Sequence, residues 1–435
     1  MNDLLQFDGT HSMLSASDFS PERNDLQSAV ERMVHAAEQP GYDDPRAFVN
    51  LPEDQELLKS VEEVIQGIDT GTLTHVLLIG IGGSSLGMRA IAHTISSGGP
   101  RILVAETVSA YEAEAITAVL DREVSSAEGI VVIVASKSGA TTETAANAAL
   151  YIEFLTKKFG SISHRVIVST DEGSPLAGVA AQEGYRCVPI PKMVGGRYSV
   201  LSSAGLLPFG FARGNTNGLL EGARTARVAF LREGTASVAA QYGVALASYA
   251  QAGRRTHNMF VFDPTLEDLG KWWRQLVGES LGKNETRAGG VSETSILPTV
   301  SVGSTDLHSV GQLYLSGAPG IATTFVAVGQ PEMIIPAHGI AERLVSGLGG
   351  ASSAAITDAI LEGTKRAYTE KKLPYLSIHL RDLSPEAMGA FMETQMIAVA
   401  IAGELLDINA FDQPNVEDYK RITRGLLSGG VDMIT

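Results

Sequence analysis

Short apolar runs alternate with helical segments along most of this chain, and that alternation limits the possible folds more than any other feature. The runs in the first half are His75–Gly80, Arg101–Glu106, Gly129–Ser136, His164–Thr170 and Arg186–Pro191. After a long helical stretch, Leu219–Gln251, the pattern resumes in His257–Asp263, Ile296–Ser304, Thr323–Gly329 and Tyr375–Leu383. Continuously apolar strands between helices are typical of a parallel sheet that is covered on both faces. We therefore predict an α/β fold with two doubly wound parallel sheets, one in each half of the chain.

A chain of 435 residues is too long for one ordinary hydrophobic core, so more than one domain is expected. The predicted segments are an N-terminal arm (1–54), a first domain (55–215), a second domain (216–410) and a helical tail (411–435). The arm carries a weak helical pattern from Asp25 to Glu38. The second domain ends in a long helix from Pro385 to Asp407, and the helix of the tail is predicted to start near Asn415.

Composition excludes several classes of partner. The net charge of −16 argues against a nucleic acid or an anionic membrane surface as partner. Cys187 is the single cysteine, so no intrachain disulfide can form. The first residues lack a basic stretch followed by an apolar one, and the apolar run from Met396 is too short for a bilayer and contains Glu404. These features predict a cytoplasmic protein.

Glycines crowd the loop after the first predicted strand, Gly80–Gly87, with the sequence GIGGSSLG. In parallel sheets ligands bind at the carboxyl ends of strands, and a helix that starts there supplies amides and a positive dipole for an anion. Gly80 and Gly82 also fit the dinucleotide pattern GxGxxG, although Ser85 stands at its third position and Glu106 lies where a ribose-binding acid would. The loop alone leaves an anion site, a nucleotide site and an ordinary tight turn open.

Hydroxyl groups crowd the loop after the strand Gly129–Ser136, where SKSGATTET runs from Ser136 to Thr144. One hydroxyl is enough to cap the helix that follows, but this loop carries several. A phosphate group accepts about that many hydrogen bonds from hydroxyls and first-turn amides. The loop lacks GxxxxGK[ST], which disfavours a nucleoside triphosphate. It is therefore predicted to bind a monophosphate.

Motifs for metal and hydrolase chemistry are missing from the sequence. The nine histidines are dispersed, and neither HExxH nor GxSxG occurs. We predict no metal site and no Ser-His-Asp hydrolase.

Six motifs in order along the chain resemble those of the glucose-6-phosphate isomerase family, whose two domains are of the sugar-isomerase (SIS) type. They are GIGGS (Gly80–Ser84), SKSGATTET (Ser136–Thr144), VGGRYSVLS (Val194–Ser202), QLVGESLGK (Gln275–Lys283), STDLHSVGQ (Ser304–Gln312) and FDQPNVEDYK (Phe411–Lys420). They span both predicted domains and the tail. Ala140 departs from the pattern, since the family more often has threonine there, and the chain is short for the family. The partner-binding elaborations of larger members are therefore not expected.

The resemblance implies reversible conversion of glucose 6-phosphate to fructose 6-phosphate through a cis-enediolate, a step of glycolysis and gluconeogenesis, without cofactor or metal. It assigns substrate or phosphate contacts to Gly83, Ser84, Ser136, Lys137, Ser138, Thr141, Gln275 and Gln413. It also implies a homodimer with shared sites, because the histidine that matches His308 reaches the neighbouring subunit in the family.

Glu279 is the implied base that moves the proton between C1 and C2. It lies in GKWWRQLVGESLGK beside two tryptophans, and an apolar setting would raise the basicity of its carboxylate. Gln275 stands four residues earlier and should share its helix face. His308 should lie at the start of a helix, where the dipole favours a neutral imidazole that can move protons near pH 7.

The remaining implied roles belong to Lys420, Gln413 and Arg197. Lys420 would open the sugar ring together with His308, and Gln413 would lie near the phosphate. Arg197 follows two glycines, and its permanent charge would stabilise the enediolate without competing for the proton.

Other functions remain to be weighed against this one. A non-catalytic sugar-phosphate sensor of the same fold would keep the hydroxyl loop but would not need Glu279, His308, Arg197 and Lys420 together. An isomerase for mannose 6-phosphate or an amino sugar would keep the same loop and differ at sugar-facing residues. A nicotinamide dehydrogenase is the most distant alternative.

Overall fold

The chain forms two five-stranded sheets in a computed structural model that describes residues 3–92 and 98–429. The strands are β1 Leu5–Asp8, β2 His75–Ile79, β3 Arg101–Ala105, β4 Ile130–Ser136, β5 Val166–Asp171, β6 Arg186–Ile190, β7 Thr256–Val261, β8 Leu297–Val302, β9 Ile321–Val328 and β10 Tyr375–Leu380. The first sheet has the order β3-β2-β4-β5-β6 and is parallel throughout. The second has the order β1-β10-β9-β7-β8, and β1 alone is antiparallel to its neighbour. The predicted α/β class and its apolar strands are confirmed.

Helices connect the strands and cover the sheets. They are α1 Asn24–Glu38, α2 Gln55–Gln66, α3 Leu86–Ala92, α4 Ala110–Glu123, α5 Thr142–Phe159, α6 Pro175–Glu183, α7 Ser203–Phe211, α8 Thr216–Glu233, α9 Val238–Gln251, α10 Glu267–Leu281, α11 Gly311–Leu315, α12 Ile340–Leu344, α13 Ser353–Glu370, α14 Pro385–Leu405 and α15 Val416–Leu427. Serines cap many of them: the hydroxyls of Ser109, Ser174, Ser237, Ser352 and Ser384 accept backbone N–H groups in the first turns of α4, α6, α9, α13 and α14.

The largest core lies among the helices on the inner faces of the two sheets. Helix α14 is buried from Ala387 to Leu405 and packs against α8, α9 and α10. Its apolar residues continue around the helix, which is the pattern of a helix buried on all sides. Separate apolar clusters cover the outer face of each sheet. No helix in the described part of the chain is long and apolar enough to cross a membrane.

Two details differ from the sequence prediction. The N-terminal arm contributes β1, which pairs with β10 from Leu5↔Leu380 to Asp8↔Ser377, and so completes the second sheet. The predicted helical stretch Leu219–Gln251 is two helices, because the chain turns at Gly234 with φ +57° before α9 begins. The domain boundaries at residues 54, 215 and 410 stay a prediction.

A buried carboxyl group in α14 gives the fold a pH dependence. Glu393 is 0% exposed, neither of its oxygens has a hydrogen-bond partner, and burial raises its pKa to about 8, with Arg227 acting in the opposite direction. The folded chain therefore keeps this proton up to about pH 8, whereas the unfolded chain releases it near the ordinary glutamate pKa of 4.5. Glu393 therefore lowers the free energy of unfolding progressively as the pH rises from about 4.5 to about 8, and it has no such effect at lower pH.

Replacing Glu393 by glutamine should remove that loss. We expect the Glu393→Gln variant to match the wild type near pH 4.5 and to be more stable at pH 8, by on the order of a few kcal/mol, since each pKa unit corresponds to about 1.4 kcal/mol. Urea unfolding of both proteins at the two pH values measures this. A stability difference that is the same at both pH values would contradict it.

Candidate active site

The glycine loop after β2 lies against two other segments that carry predicted site residues. A Cβ on Gly83 would lie 2.2 Å from the carbonyl carbon of Gly196, and one on Gly82, where φ is +62°, would lie 2.9 Å from Nε2 of Gln275. Only glycine permits this approach. Ser84 closes the short 3₁₀ turn Gly82–Ser84 and is half-buried. The loop therefore joins the carboxyl end of the first sheet to α10 and to the segment that carries Arg197.

Arg197 is the centre of the cluster and is 2% exposed. Its Nε donates to Ser280 Oγ at 2.7 Å, and Nη1 donates to Glu279 Oε2 at 3.1 Å and to Gln413 Oε1 at 3.0 Å. Its Nη2 donates to the main-chain oxygens of Ala410 at 2.6 Å and Asp412 at 3.1 Å. All five N–H groups of the guanidinium are thus used by protein atoms. A buried guanidinium needs such partners, and here they tie the tail to α10.

Glu279 and Gln275 share one face of α10, as predicted. Gln275 Nε2 donates to Glu279 Oε1 at 3.0 Å, while Gln275 Oε1 is buried without a hydrogen-bond partner. The predicted apolar setting of Glu279 is wrong: its side chain is 32% exposed, and its carboxylate is held by Arg197 and Gln275. Polar partners fix the direction of the carboxylate, and the free amide oxygen of Gln275 can accept a hydrogen bond from a bound hydroxyl group.

Two residues of the same motif were not singled out from the sequence. Ser280 is fully buried between Arg197 and the hydroxyl of Tyr198, which lies 3.0 Å away. Lys283 is buried and donates from Nζ to the main-chain oxygen of Asp412 and to Asp412 Oδ1 at 2.8 Å. Lys283 lies just beyond the end of α10 at Leu281, so helical spacing does not connect it to Glu279.

The hydroxyl loop follows β4, which pairs with β2 in the first sheet, so both loops lie at the same sheet edge. Thr141 stands at the N-cap of α5, yet its side chain makes no capping hydrogen bond and lies 3.0 Å from the hydroxyl of Ser136. The hydroxyl of Ser138 accepts only a 3.3 Å bond from the amide of Ala140, and Thr144 Oγ1 is buried without a partner. Simple helix capping therefore does not explain these hydroxyls.

Lys137 adds positive charge to the same loop. Burial is the main cause that lowers the pKa of its ammonium group, the nearby Arg197 lowers it further, and Asp171 acts in the opposite direction. A bound anion would offset the cost of holding these two cations close together. Charge, hydroxyls and the N-terminus of an 18-residue helix thus meet in one loop.

Glu106, the candidate ribose-binding acid, has local partners instead. Its Oε1 accepts a hydrogen bond from Ser85 Oγ at 2.5 Å, and its Oε2 pairs with Arg89 at 3.3 Å. Arg89 also reaches Asp268 near the start of α10 at 3.4 Å. The carboxylate therefore holds the glycine loop and α10 in place.

His308 lies away from this cluster. The last turn of α10 packs near the start of β8, where a Cβ on Gly278 would lie 3.4 Å from Pro298, whereas His308 follows the other end of that strand. The four residue steps from Pro298 to Val302 alone span roughly 13 Å. His308 is exposed and closes the short turn Thr305–Leu307, three residues before α11, so the predicted position at a helix start is wrong.

Lys420 also has a partner outside the cluster. In α15 its Nζ pairs with Glu417 Oε1 at 2.8 Å, one helical turn earlier. No residue of α15 is buried, although Tyr419, Ile422 and Leu426 form an exposed apolar stripe on it. The structure thus brings together Glu279, Arg197, Gln275 and Gln413, whereas His308 and Lys420 make no hydrogen bond or ion pair with these four among the described residues.

Metal ligands do not cluster in the part of the chain that the structure describes: no three His, Cys, Asp or Glu side chains there lie close enough to hold an ion. The prediction that no metal or cofactor takes part continues to rest on the sequence pattern.

Comparisons with solved structures define the class of fold. A hypothetical protein of Thermus thermophilus aligns with a TM-score of 0.87 and 30% identity over 98% of this chain and all of its own. A glucose-6-phosphate isomerase of Chlamydia trachomatis aligns with a TM-score of 0.82 and 21% identity over 99% of this chain and 90% of its own. Tagatose-6-phosphate ketose/aldose isomerase of Escherichia coli aligns at 0.50 and 13% identity. The two sheets have the fold of these proteins, so the predicted SIS-type α/β fold is confirmed.

Sequence comparison identifies the family. The profile of the phosphoglucose isomerase family matches residues 46–429. A glucose-6-phosphate isomerase of Symbiobacterium thermophilum is 33% identical over 92% of this chain and 90% of its own, and one of Rubrobacter xylanophilus is 34% identical over 97% and 95%. The chain belongs to the phosphoglucose isomerase family, as its motifs predicted.

Proposed function

We propose that this protein interconverts glucose 6-phosphate and fructose 6-phosphate through a cis-enediolate. The observation that carries the proposal is the cluster in which Arg197 and Gln275 hold the carboxylate of Glu279 beside the glycine loop. Aldose–ketose isomerisation needs a base near C1 and C2, a positive charge near the oxygens of the enediolate and an anchor for the phosphate. Membership of the phosphoglucose isomerase family supports this substrate pair.

The phosphate is proposed to bind in the hydroxyl loop. Ser136, Ser138 and Thr141 would donate from their hydroxyls, and Lys137 would supply charge. The first-turn amides of α5 have their N–H groups directed toward this loop, and the positive end of the helix dipole lies there too. Both favour binding of an anion. Gly83, Ser84 and Gln413 would line the adjoining side of the substrate. Two observations support this assignment: the side chain of Thr141 makes no capping hydrogen bond to α5, and the buried hydroxyl of Thr144 has no hydrogen-bond partner.

Glu279 is the proposed base, and Arg197 stabilises the negative charge that develops when the proton leaves. All five N–H groups of Arg197 donate to protein atoms in this structure. Arg197 would therefore stabilise the enediolate as a fixed positive charge close to the carboxylate of Glu279. The guanidinium cannot give up its proton, so it does not compete with the sugar carbon. Gln275 would accept from a substrate hydroxyl through its free oxygen.

Ring opening is assigned to His308 and Lys420, and this assignment requires a homodimer. His308 follows the far end of β8 from the point where α10 packs on that strand, so we infer that the site of one chain lacks the histidine that the reaction needs. A twofold-symmetric dimer would place the histidine of each chain in the site of the other. A cytoplasmic location belongs to the same proposal.

Removing two hydroxyls of the loop tests the phosphate assignment. We expect the double variant Ser138→Ala with Thr141→Ala to raise KM for fructose 6-phosphate about 10- to 100-fold, since each hydrogen bond to a charged group contributes about 1.5–3 kcal/mol and neighbouring donors compensate in part. The fall in kcat should be smaller. Steady-state kinetics measures both constants, and an unchanged KM would reject the phosphate site.

The function itself is tested by incubating purified protein with fructose 6-phosphate and a chelator, without nucleotide, and following the appearance of glucose 6-phosphate. Mannose 6-phosphate and glucosamine 6-phosphate are run in parallel. Rapid formation of glucose 6-phosphate supports the proposal. Turnover of only one of the other two sugars would assign a different isomerase, and binding without turnover would assign a sensor.

A further inference from the structure

Lys283 is a buried cation that the proposed mechanism leaves unused. Its side chain is 10% exposed, and burial is the main cause that lowers the pKa of its ammonium group, while the bond to Asp412 raises it. Burying an ammonium group is costly unless it is paired. The partner is a single residue of the tail, whose main-chain oxygen lies 2.5 Å from Nζ and whose Oδ1 lies 2.8 Å from it.

Asp412 connects Lys283 to the cluster around the base. The main-chain oxygen of Asp412 accepts from both Lys283 and Arg197, at 2.5 and 3.1 Å. The carboxylate uses its second oxygen to accept from Asn409 Nδ2 at 2.9 Å. The charges of Arg197 and Glu279 also act on Lys283, which places all three groups within one electrostatic cluster. The position of Gln413, the next residue, depends on the same segment.

We propose that Lys283 is a positioning residue for the reaction, acting through Asp412. It holds the segment Ala410–Gln413 against α10, and that segment accepts three of the five hydrogen bonds of Arg197. Loss of Lys283 would free the carboxylate of Asp412, which is half exposed, to turn toward water. The guanidinium would then lose the geometry that fixes it beside Glu279. The inference rests on the proposed function, because positioning is defined by the isomerisation.

The test compares Lys283→Met with a matched control, Lys158→Met. Lys158 lies near the end of α5 and makes the same kind of contact, from Nζ to the main-chain oxygen of Asp121 and to Asp121 Oδ1 at 2.9 Å. It is about 20 Å along the helix from the hydroxyl loop. We expect Lys283→Met to lower kcat about 10- to 100-fold, since small displacements in an active site have effects of this size, and to change KM less than about threefold. Lys158→Met should keep the wild-type kcat.

A double-mutant cycle with Asp412→Asn separates positioning from a general structural role. If Lys283 acts through Asp412, the variant that combines both changes should be no slower than Lys283→Met alone. Effects on kcat that multiply would overturn the proposal, as would a wild-type kcat in Lys283→Met. If Lys283→Met does not fold, Asp412→Asn alone decides: a lowered kcat with unchanged KM supports the proposal, and wild-type kinetics overturns it.

Amide hydrogen exchange gives a reading that does not depend on activity. Exchange in the peptide that covers residues 409–413 should be faster in Lys283→Met than in wild type and in Lys158→Met. Equal exchange in all three proteins would overturn the proposal. If the wild-type protein does not convert fructose 6-phosphate, the proposed function fails, while the exchange result still decides whether Lys283 holds the tail.

Discussion

Glu279→Gln is expected to lower kcat for fructose 6-phosphate by about 10³- to 10⁴-fold while KM changes little. Glutamine has the shape of glutamate and can still accept from Arg197 through its one carbonyl oxygen, while its NH₂ can donate to the amide oxygen of Gln275 once that amide turns, so the cluster should persist. What is lost is the group that takes the proton, and a general base contributes about that factor. The hydroxyl loop is unaffected and should bind the phosphate as before. Steady-state kinetics with both proteins in one assay measures the effect.

Glu267→Gln is the matched control for that experiment. Glu267 lies in the first turn of the same helix and pairs with Lys271 at 2.9 Å on the surface. Its kinetics should equal those of the wild type. Turnover by Glu279→Gln within tenfold of the control would remove Glu279 from the proposed role, and a large rise in KM would assign it to binding.

Mixing two inactive variants is expected to restore about a quarter of the wild-type activity. In a dimer with shared sites, Glu279→Gln supplies an intact His308 to the site of a His308→Ala chain, which supplies an intact Glu279. Random pairing gives mixed dimers in half of the cases, each with one complete site, so about a quarter of the wild-type activity should return. His308 is exposed, and its replacement by alanine should not disturb folding. Co-expression with two affinity tags isolates the mixed dimers.

The control pairs Glu279→Gln with the Ser138→Ala, Thr141→Ala chain. Both sets of changes lie in the site formed by one chain, so the mixed dimer would contain no complete site, and at low fructose 6-phosphate its activity should not exceed that of the Ser138→Ala, Thr141→Ala protein alone. Rescue in this control, or no rescue with His308→Ala, would contradict the proposed sharing of sites.

Local sequence was enough to predict the strands and the loops at their ends. Each buried parallel strand has a continuous apolar sequence. Gly83 approaches the backbone of Gly196 so closely that few other residues could stand there. The pairing of Gln275 with Glu279 also followed from spacing alone, because four residues make about one helical turn.

Contacts between distant segments could not be predicted in this way. Strand β1 has only four residues, and its place depends on the free edge of β10, more than 360 residues away in sequence. The polar setting of Glu279 depends on Arg197, which the fold brings from another part of the chain, and the neighbouring tryptophans suggested the opposite. The distance between His308 and Glu279 is likewise set by the packing of α10 on β8.

Hydrogen exchange at the reacting carbon tests the central claim most directly. Fructose 6-phosphate is incubated in D₂O with the wild type and with Glu279→Gln, and deuterium is measured at C1 of the remaining substrate and at C2 of glucose 6-phosphate. Proton transfer through Glu279 predicts deuterium at both positions with the wild type and at neither with the variant over the same time. Deuterium appearing as fast with Glu279→Gln as with the wild type would contradict it.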